Sequence, residues 1–267
     1  MQKMFPLFLL LTCLLSACLS PQSPGQPASD AAADADVPWQ RDTLDPAATE
    51  LWAAPRQVSA PADAPPADAI VLLDSSGHSA WEGTRNGQAV GWTFADGVLT
   101  IAPGSGDIRT RQAFGSIQLH LEFRIPAPEN MEGPTGQGRG NSGIFFMERY
   151  ELQVLDSHGG TTYSNGQCGA IYKQHAPLVN ASRPPQTWQT YDVVFMAPVF
   201  SESGQVLRPA TLTAFHNGVL IHNHSSILGP VEYRGLPQYQ SHADKLPLRL
   251  QDHGNPVSYR NIWLREL

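Results

Sequence analysis

The stretch Ser116-Ile-Gln-Leu-His-Leu-Glu-Phe-Arg-Ile125 constrains this chain more than any other. Ile117, Leu119, Leu121, Phe123 and Ile125 alternate with Gln118, His120, Glu122 and Arg124. Successive side chains of a strand point to opposite faces, so this run predicts a strand with one buried face. The same period of two recurs along the chain. Ile70–Leu73, Gly143–Met147, Tyr150–Leu155, Trp188–Met196, Leu246–Gln251 and Ser258–Leu264 read as strands. Trp92–Phe94 and Val98–Ile101 flank Asp96-Gly97, and Thr211–His216 and Val219–His224 flank Asn217-Gly218; both dipeptides favour two-residue hairpin turns. In the second hairpin such a turn pairs His216 with Val219 and Thr213 with His222. It puts His216 and Ile221 on the core face, and His222 with His224 on the other. No long helical periodicity is present, and Gly and Pro at 23 residues each suit a loop-rich fold. Residues 70–267 are therefore expected to form one all-β domain, a β-sandwich or jelly roll.

The N-terminus has a different character. Lys3 precedes an almost wholly apolar run from Phe5 to Leu15, which ends in Leu15-Ser16-Ala17-Cys18. This order has the form of a signal peptide (residues 1–17), too short to span a bilayer, followed by the lipidated cysteine of a bacterial lipoprotein. Acyl chains on Cys18 would anchor the protein, each buried methylene contributing ~0.8 kcal/mol. The expected location is an exported, membrane-anchored lipoprotein facing the periplasm or cell surface. In a Gram-negative cell, Leu19 rather than Asp after the cysteine favours the outer membrane. Residues 18–69 are rich in Pro, Ala, Ser, Gln and Asp and poor in large apolar groups, which predicts a disordered tether.

Residues 19–69 hold eight acids and two bases, so most of the net charge of −7 lies in that tether. The folded part has no basic stripe to displace counterions from phosphates, which argues against a nucleic-acid partner. Of three cysteines only Cys168 lies within the domain, so no disulfide forms inside it; its expected role is that of a small buried hydrophobe.

Strand alternation also groups the polar residues. In Tyr150–Leu155, Glu151 and Gln153 oppose the core-facing Tyr150, Leu152 and Val154. In Leu248–His253, Arg249, Gln251 and His253 oppose Leu248 and Leu250. Two strands thus present hydrogen-bonding groups suited to the floor of a ligand site. Asn141 and Asn255 occupy loops or strand ends, where sugar hydroxyls are often read. Arg109 and Lys173 are candidate anchors for a ligand oxygen. His222 and His224, spaced as H-x-H, are the metal-ligand candidates, which leaves room for a divalent metal.

Several runs together resemble one family. They are Gly106–Thr110, Gly140-Asn-Ser-Gly-Ile-Phe145, Tyr150-Glu-Leu-Gln-Val-Leu-Asp156, Gly166-Gln-Cys-Gly-Ala-Ile-Tyr172, Ala176–Ser182, Trp188–Asp192, His216–Leu220, Leu250-Gln-Asp-His-Gly-Asn-Pro256 and Arg260–Trp263. In this order, across nearly all of residues 70–267, they resemble the 3-keto-disaccharide hydrolase domain family. The resemblance implies a concanavalin A-like jelly roll with a concave sugar site. It also implies action on 3-keto-glycosides or 3-keto-disaccharides, and a functional link to a sugar 3-dehydrogenase.

A ketone at C3 acidifies the hydrogen on C2. A base removes it, the group on C1 leaves, and water adds back. His253 or Glu151 is the candidate base, Arg249 or a metal the enolate stabiliser, and Asp156 an acid or metal ligand. Ordinary displacement needs two facing carboxylates. Glu151 and Asp156 are five residues apart, on opposite strand faces. An endo-glucanase of the E-x-D-x-x-E type is further disfavoured by the amide of Gln153 at its middle position. A non-catalytic, lectin-like carbohydrate-binding module remains the alternative from another class, because fold alone does not decide function.

Overall fold

A computed structural model describes residues 53–267, apart from residues 86, 132 and 134. The signal peptide, Cys18 and most of the expected tether lie outside the described residues. Residues 57–267 form one compact unit. That unit begins earlier than the boundary expected at Ile70. Arg265 holds both carboxylate oxygens of Asp68 at 2.8 Å, and the Ala67 amide closes back onto the Ser59 carbonyl at 2.9 Å.

Two antiparallel sheets pack face to face. The larger runs Val219–Ser226, Thr211–His216, Trp188–Met196, Ile117–Arg124, Ser258–Glu266, Val98–Thr100 and Thr93–Ala95, with Ile70–Leu73 also pairing to Ser258–Glu266. The smaller runs Trp81–Gly83, Ile108–Phe114, Leu246–Leu250, Ser142–Phe146 and Tyr150–Val154. Together they make the expected jelly-roll sandwich. Leu119, Leu121, Phe123, Tyr191, Val193 and Phe195 from one sheet share a core with Ile144, Phe146, Leu152, Leu248 and Leu250 from the other. Burial of each such side chain contributes about 1.5–3 kcal/mol. Phe146 stacks on Phe195 between the sheets at 4.8 Å, and the buried hydroxyls of Tyr259 and Tyr191 donate to Ser142 Oγ at 2.7 Å and the Gln153 carbonyl at 2.8 Å. Those bonds lock the sheets in register, since a buried hydroxyl without a partner is costly.

The Asp96-Gly97 and Asn217-Gly218 turns have positive φ at both residues, as a two-residue turn between twisted strands requires. His216 pairs with Val219 as expected. Beyond it the register slips: His222 pairs with Ala214 rather than Thr213. The bulge turns both Ile221 and His222 into buried positions. Of the strands in the two packed sheets, Trp81–Gly83 and Ile108–Phe114 are absent from the sequence reading. The second carries Arg109, Arg111 and Gln112 among its apolar residues, which hides its period.

Candidate active site

The smaller sheet has a wet face, and cross-strand pairing aligns one row of side chains across it. Glu82 pairs with Arg109, Arg109 with Arg249, Arg249 with Phe145, and Phe145 with Glu151. Neighbouring strands lie about 4.8 Å apart, so side chains of one row touch their neighbours. Within the row the charges find partners. Arg109 Nε bonds Glu82 at 3.1 Å with Glu148 at 3.6 Å, and Arg249 Nη1 binds Asp107. The Arg249 guanidinium lies 3.7 Å above the Phe145 ring centroid, beside Glu151.

At the Glu151 end the sheet is roofed. The Tyr172 amide bonds the Glu151 carbonyl at 3.1 Å, Ile171 bridges to Leu152, and the loop after Val219–Ser226 brings in Val231 and Tyr233. Beneath lies a cleft of about 350 Å³ lined by Glu151, Gln153, Arg249, Gln251 and His253, as the alternation predicts, and by Asn141. Gln137, Phe145, Tyr172, Val231 and Tyr233 complete it. Sequence reasoning missed these five. Phe145 and Tyr172 each close one of the family-like runs, but no local period marks Gln137, Val231 or Tyr233.

Glu151 is the unusual group. It is only 7% exposed. Burial pushes its carboxyl up to about 8; Arg249 opposes this rise and Asp107 adds to it. Such a carboxyl exchanges a proton near neutral pH, as a general acid or base must. The amides around it are fixed. Gln153 Nε2 donates to Gln137 Oε1 at 3.1 Å, Asn141 Nδ2 donates to the Gln137 carbonyl at 2.7 Å, and Gln137 Nε2 donates to Thr162 Oγ1 and the Gly166 carbonyl, each at 2.9 Å. Gln251 Oε1 is buried with no hydrogen-bond partner.

The floor contains one gap by design of the sequence. A Cβ on Gly143 would lie 2.6 Å from Glu151 Oε1 and 2.7 Å from Phe145 Cε2. Gly143→Ala is therefore expected to displace the Glu151 carboxyl and lower kcat about 10²-fold. Its melting temperature should stay near that of the parent, because the clash falls on side chains facing the cleft. A variant with parental kcat would show that the carboxyl position does not matter.

Other expected site residues go elsewhere. Asp156 is buried and bound by Arg139 through Nε at 3.0 Å and through Nη2, and it does not line the cleft. Asn255 is fully buried, its Oδ1 accepting from the Gly140 amide at 3.1 Å; it braces the loop beneath Asn141. Arg109 adjoins the cleft but is held by its two glutamates. Lys173 Nζ sits 4.4 Å over the Tyr163 ring, behind the cleft wall. His222 and His224 do not converge. His222 is buried with Nε2 against the Gly169 carbonyl oxygen at 2.7 Å, whereas His224 is exposed. Among the described residues, no three His, Cys, Asp or Glu side chains gather to hold a metal ion. Cys168 is buried, as expected.

Residues 68–265 match the 3-keto-alpha-glucoside-1,2-lyase-like domain family. The chain belongs to this family. A crystal structure from Parabacteroides distasonis ATCC 8503, provisionally described as a glycosyl hydrolase, is 44% identical; the match covers 81% of this chain and 93% of that one, with a TM-score of 0.77. A second structure from the same organism, described in the same terms, is 19% identical, with 75% and 94% covered and a TM-score of 0.54; it supports the fold alone. A search of curated proteins found no match.

Proposed function

We propose that this member of the family is a glycoside-cleaving enzyme acting on sugars oxidised to a ketone at C3. The observation that carries the reading is Glu151: a carboxyl of raised proton affinity, buried beside a fixed guanidinium in a cleft of hydrogen-bonding amides. The Glu151 carboxylate takes the proton from C2, and the C–H electron pair becomes the enolate of C2 and C3. Arg249 offers positive charge to that enolate. The enolate re-forms the ketone and expels the C1 oxygen, leaving a C1–C2 double bond. The leaving oxygen takes a proton from a water molecule. The hydroxide so formed adds at C1 while Glu151 returns its proton to C2, which restores the carboxylate and completes a net hydrolysis. Gln251, Gln153, Asn141 and His253 bind the ring hydroxyls.

The work place follows from the N-terminal sequence. The apolar run ending in Leu15-Ser16-Ala17-Cys18 supports export and a lipid anchor, and an oxidised substrate requires a sugar 3-dehydrogenase upstream. The test is turnover by the full chain of a chromogenic 3-keto-glucoside and of its parent glucoside, each with Mn²⁺ or with EDTA. Release from the keto compound alone is the expected result. Release from the parent sugar as well would mean ordinary glycoside hydrolysis. Binding without turnover of either would make the domain a sugar-binding module.

A further inference from the structure

The two ends of the cleft differ in chemistry, and the strand Tyr150–Val154 gives the axis along which they differ. At Arg149, just before the strand, the carbonyl accepts the Val231 amide at 2.8 Å, bringing in the loop that carries Tyr233. Two residues on, Glu151 bonds the Tyr172 backbone. Two further on, Gln153 bonds Gln137, and Asn141 lies beside them. Each two-residue step along a strand is about 6.6 Å. Glu151 therefore stands at a boundary. On one side lie the amides and His253; on the other lies the loop of Val231 and Tyr233, with Tyr172 level with Glu151 itself.

On the tyrosine side two of the hydroxyls face each other. The Tyr163 and Tyr172 hydroxyls bond each other at 2.6 Å. The Lys173 ammonium sits over Tyr163 at 4.4 Å and Tyr233 at 5.7 Å. Apart from the Tyr233 hydroxyl, what this wall offers a ligand is ring faces and the Val231 side chain. Tyr233 is 65% exposed although it is a large aromatic. Lys173, which orders the two rings, has a left-handed backbone at φ 62°, a strained conformation for a residue with a Cβ.

We propose that the Tyr172–Tyr233 end is the leaving-group subsite and that it selects flat, aromatic aglycones over sugars or short alkyl groups. This rests on the reading of Glu151 as the C2 base. With C2 at Glu151 and the oxidised ring among the amides, the substituent on C1 projects towards the tyrosines. A second sugar there would lose water from its hydroxyls and find few partners. An aromatic ring loses none and stacks on Tyr233.

The test compares benzyl and methyl 3-keto-glucosides, whose leaving alcohols have nearly equal acidity, and a 3-keto-disaccharide. The full chain should favour benzyl over methyl by about tenfold in kcat/KM, with the disaccharide below benzyl. Tyr233→Ala should bring the benzyl-to-methyl ratio close to one, and Tyr233→Phe should keep it. Calorimetry with the unoxidised benzyl and methyl glucosides reads the same preference without turnover. If no 3-keto compound is cleaved, the elimination reading fails, and the binding ratio still decides the subsite. Equal ratios in the parent, a ratio untouched by Tyr233→Ala, or a preferred disaccharide would overturn the proposal.

Discussion

Glu151→Gln is expected to lower kcat on a 3-keto-glucoside by about 10²–10⁴-fold, the range a positioned general base supplies. The amide keeps the shape of the side chain and its place between Phe145 and Tyr172, so substrate binding should change little. The pH profile gives the second reading. Burial raises the Glu151 carboxyl to about 8, and only the carboxylate accepts the C2 proton. The parent kcat/KM should therefore climb between pH 6 and 8 and level off above. Stability should run the other way. A carboxyl whose folded proton affinity exceeds its unfolded one stabilises the fold below the unfolded value, and that contribution is lost as pH rises towards about 8. The parent carries this burden above neutral pH and Glu151→Gln does not. The variant should melt higher than the parent at pH 8–9, with the gap closing near pH 5. An active, pH-insensitive Glu151→Gln would remove Glu151 from the reaction and move attention to His253.

Asp156→Ala has the largest expected effect on stability. The Asp156 side chain is 1% exposed and that of Arg139 15%, so the variant would leave Arg139 without this partner in a place poor in water. It would also remove the acceptor of the His158 amide at 3.2 Å. Breaking one half of a buried ion pair costs about 3–5 kcal/mol. For a domain of this size that lowers the melting temperature by about 10 °C. Turnover per folded molecule, measured well below that temperature, should fall far less than in Glu151→Gln. A variant that melts like the parent but cannot turn over substrate would return Asp156 to the chemistry.

Much of the site was readable because strand geometry is local. Alternation alone placed Glu151 and Gln153 on one face with Tyr150, Leu152 and Val154 on the other, and did the same for Arg249 and Gln251 against Leu248 and Leu250. The structure keeps every one of those assignments. Reading failed where distant segments meet. The bulge at Ile221 and His222 is a packing event, in which burying both side chains outweighs the regular ladder. Asp156 looked like a spare acid just past its strand. Nothing near it in sequence announces Arg139, which arrives from another loop. Tyr233 lies some 80 residues beyond Glu151 along the chain.

By itself, then, the sequence determined the all-β class, both tight hairpins, the family, and which side chains leave the core on the strands of the floor. Those follow from the two-residue period and from turn residues that tolerate positive φ, and both act over a few positions. Only the tertiary structure decided that Glu151 is buried enough to hold its proton near neutral pH, that Arg249 lies across Phe145 beside it, and that amides close one end of the cleft and tyrosines the other. Proton affinity and ligand shape depend on what surrounds a group in space. Here those surroundings are assembled from loops far apart in the chain, which carry no periodic signal of their own.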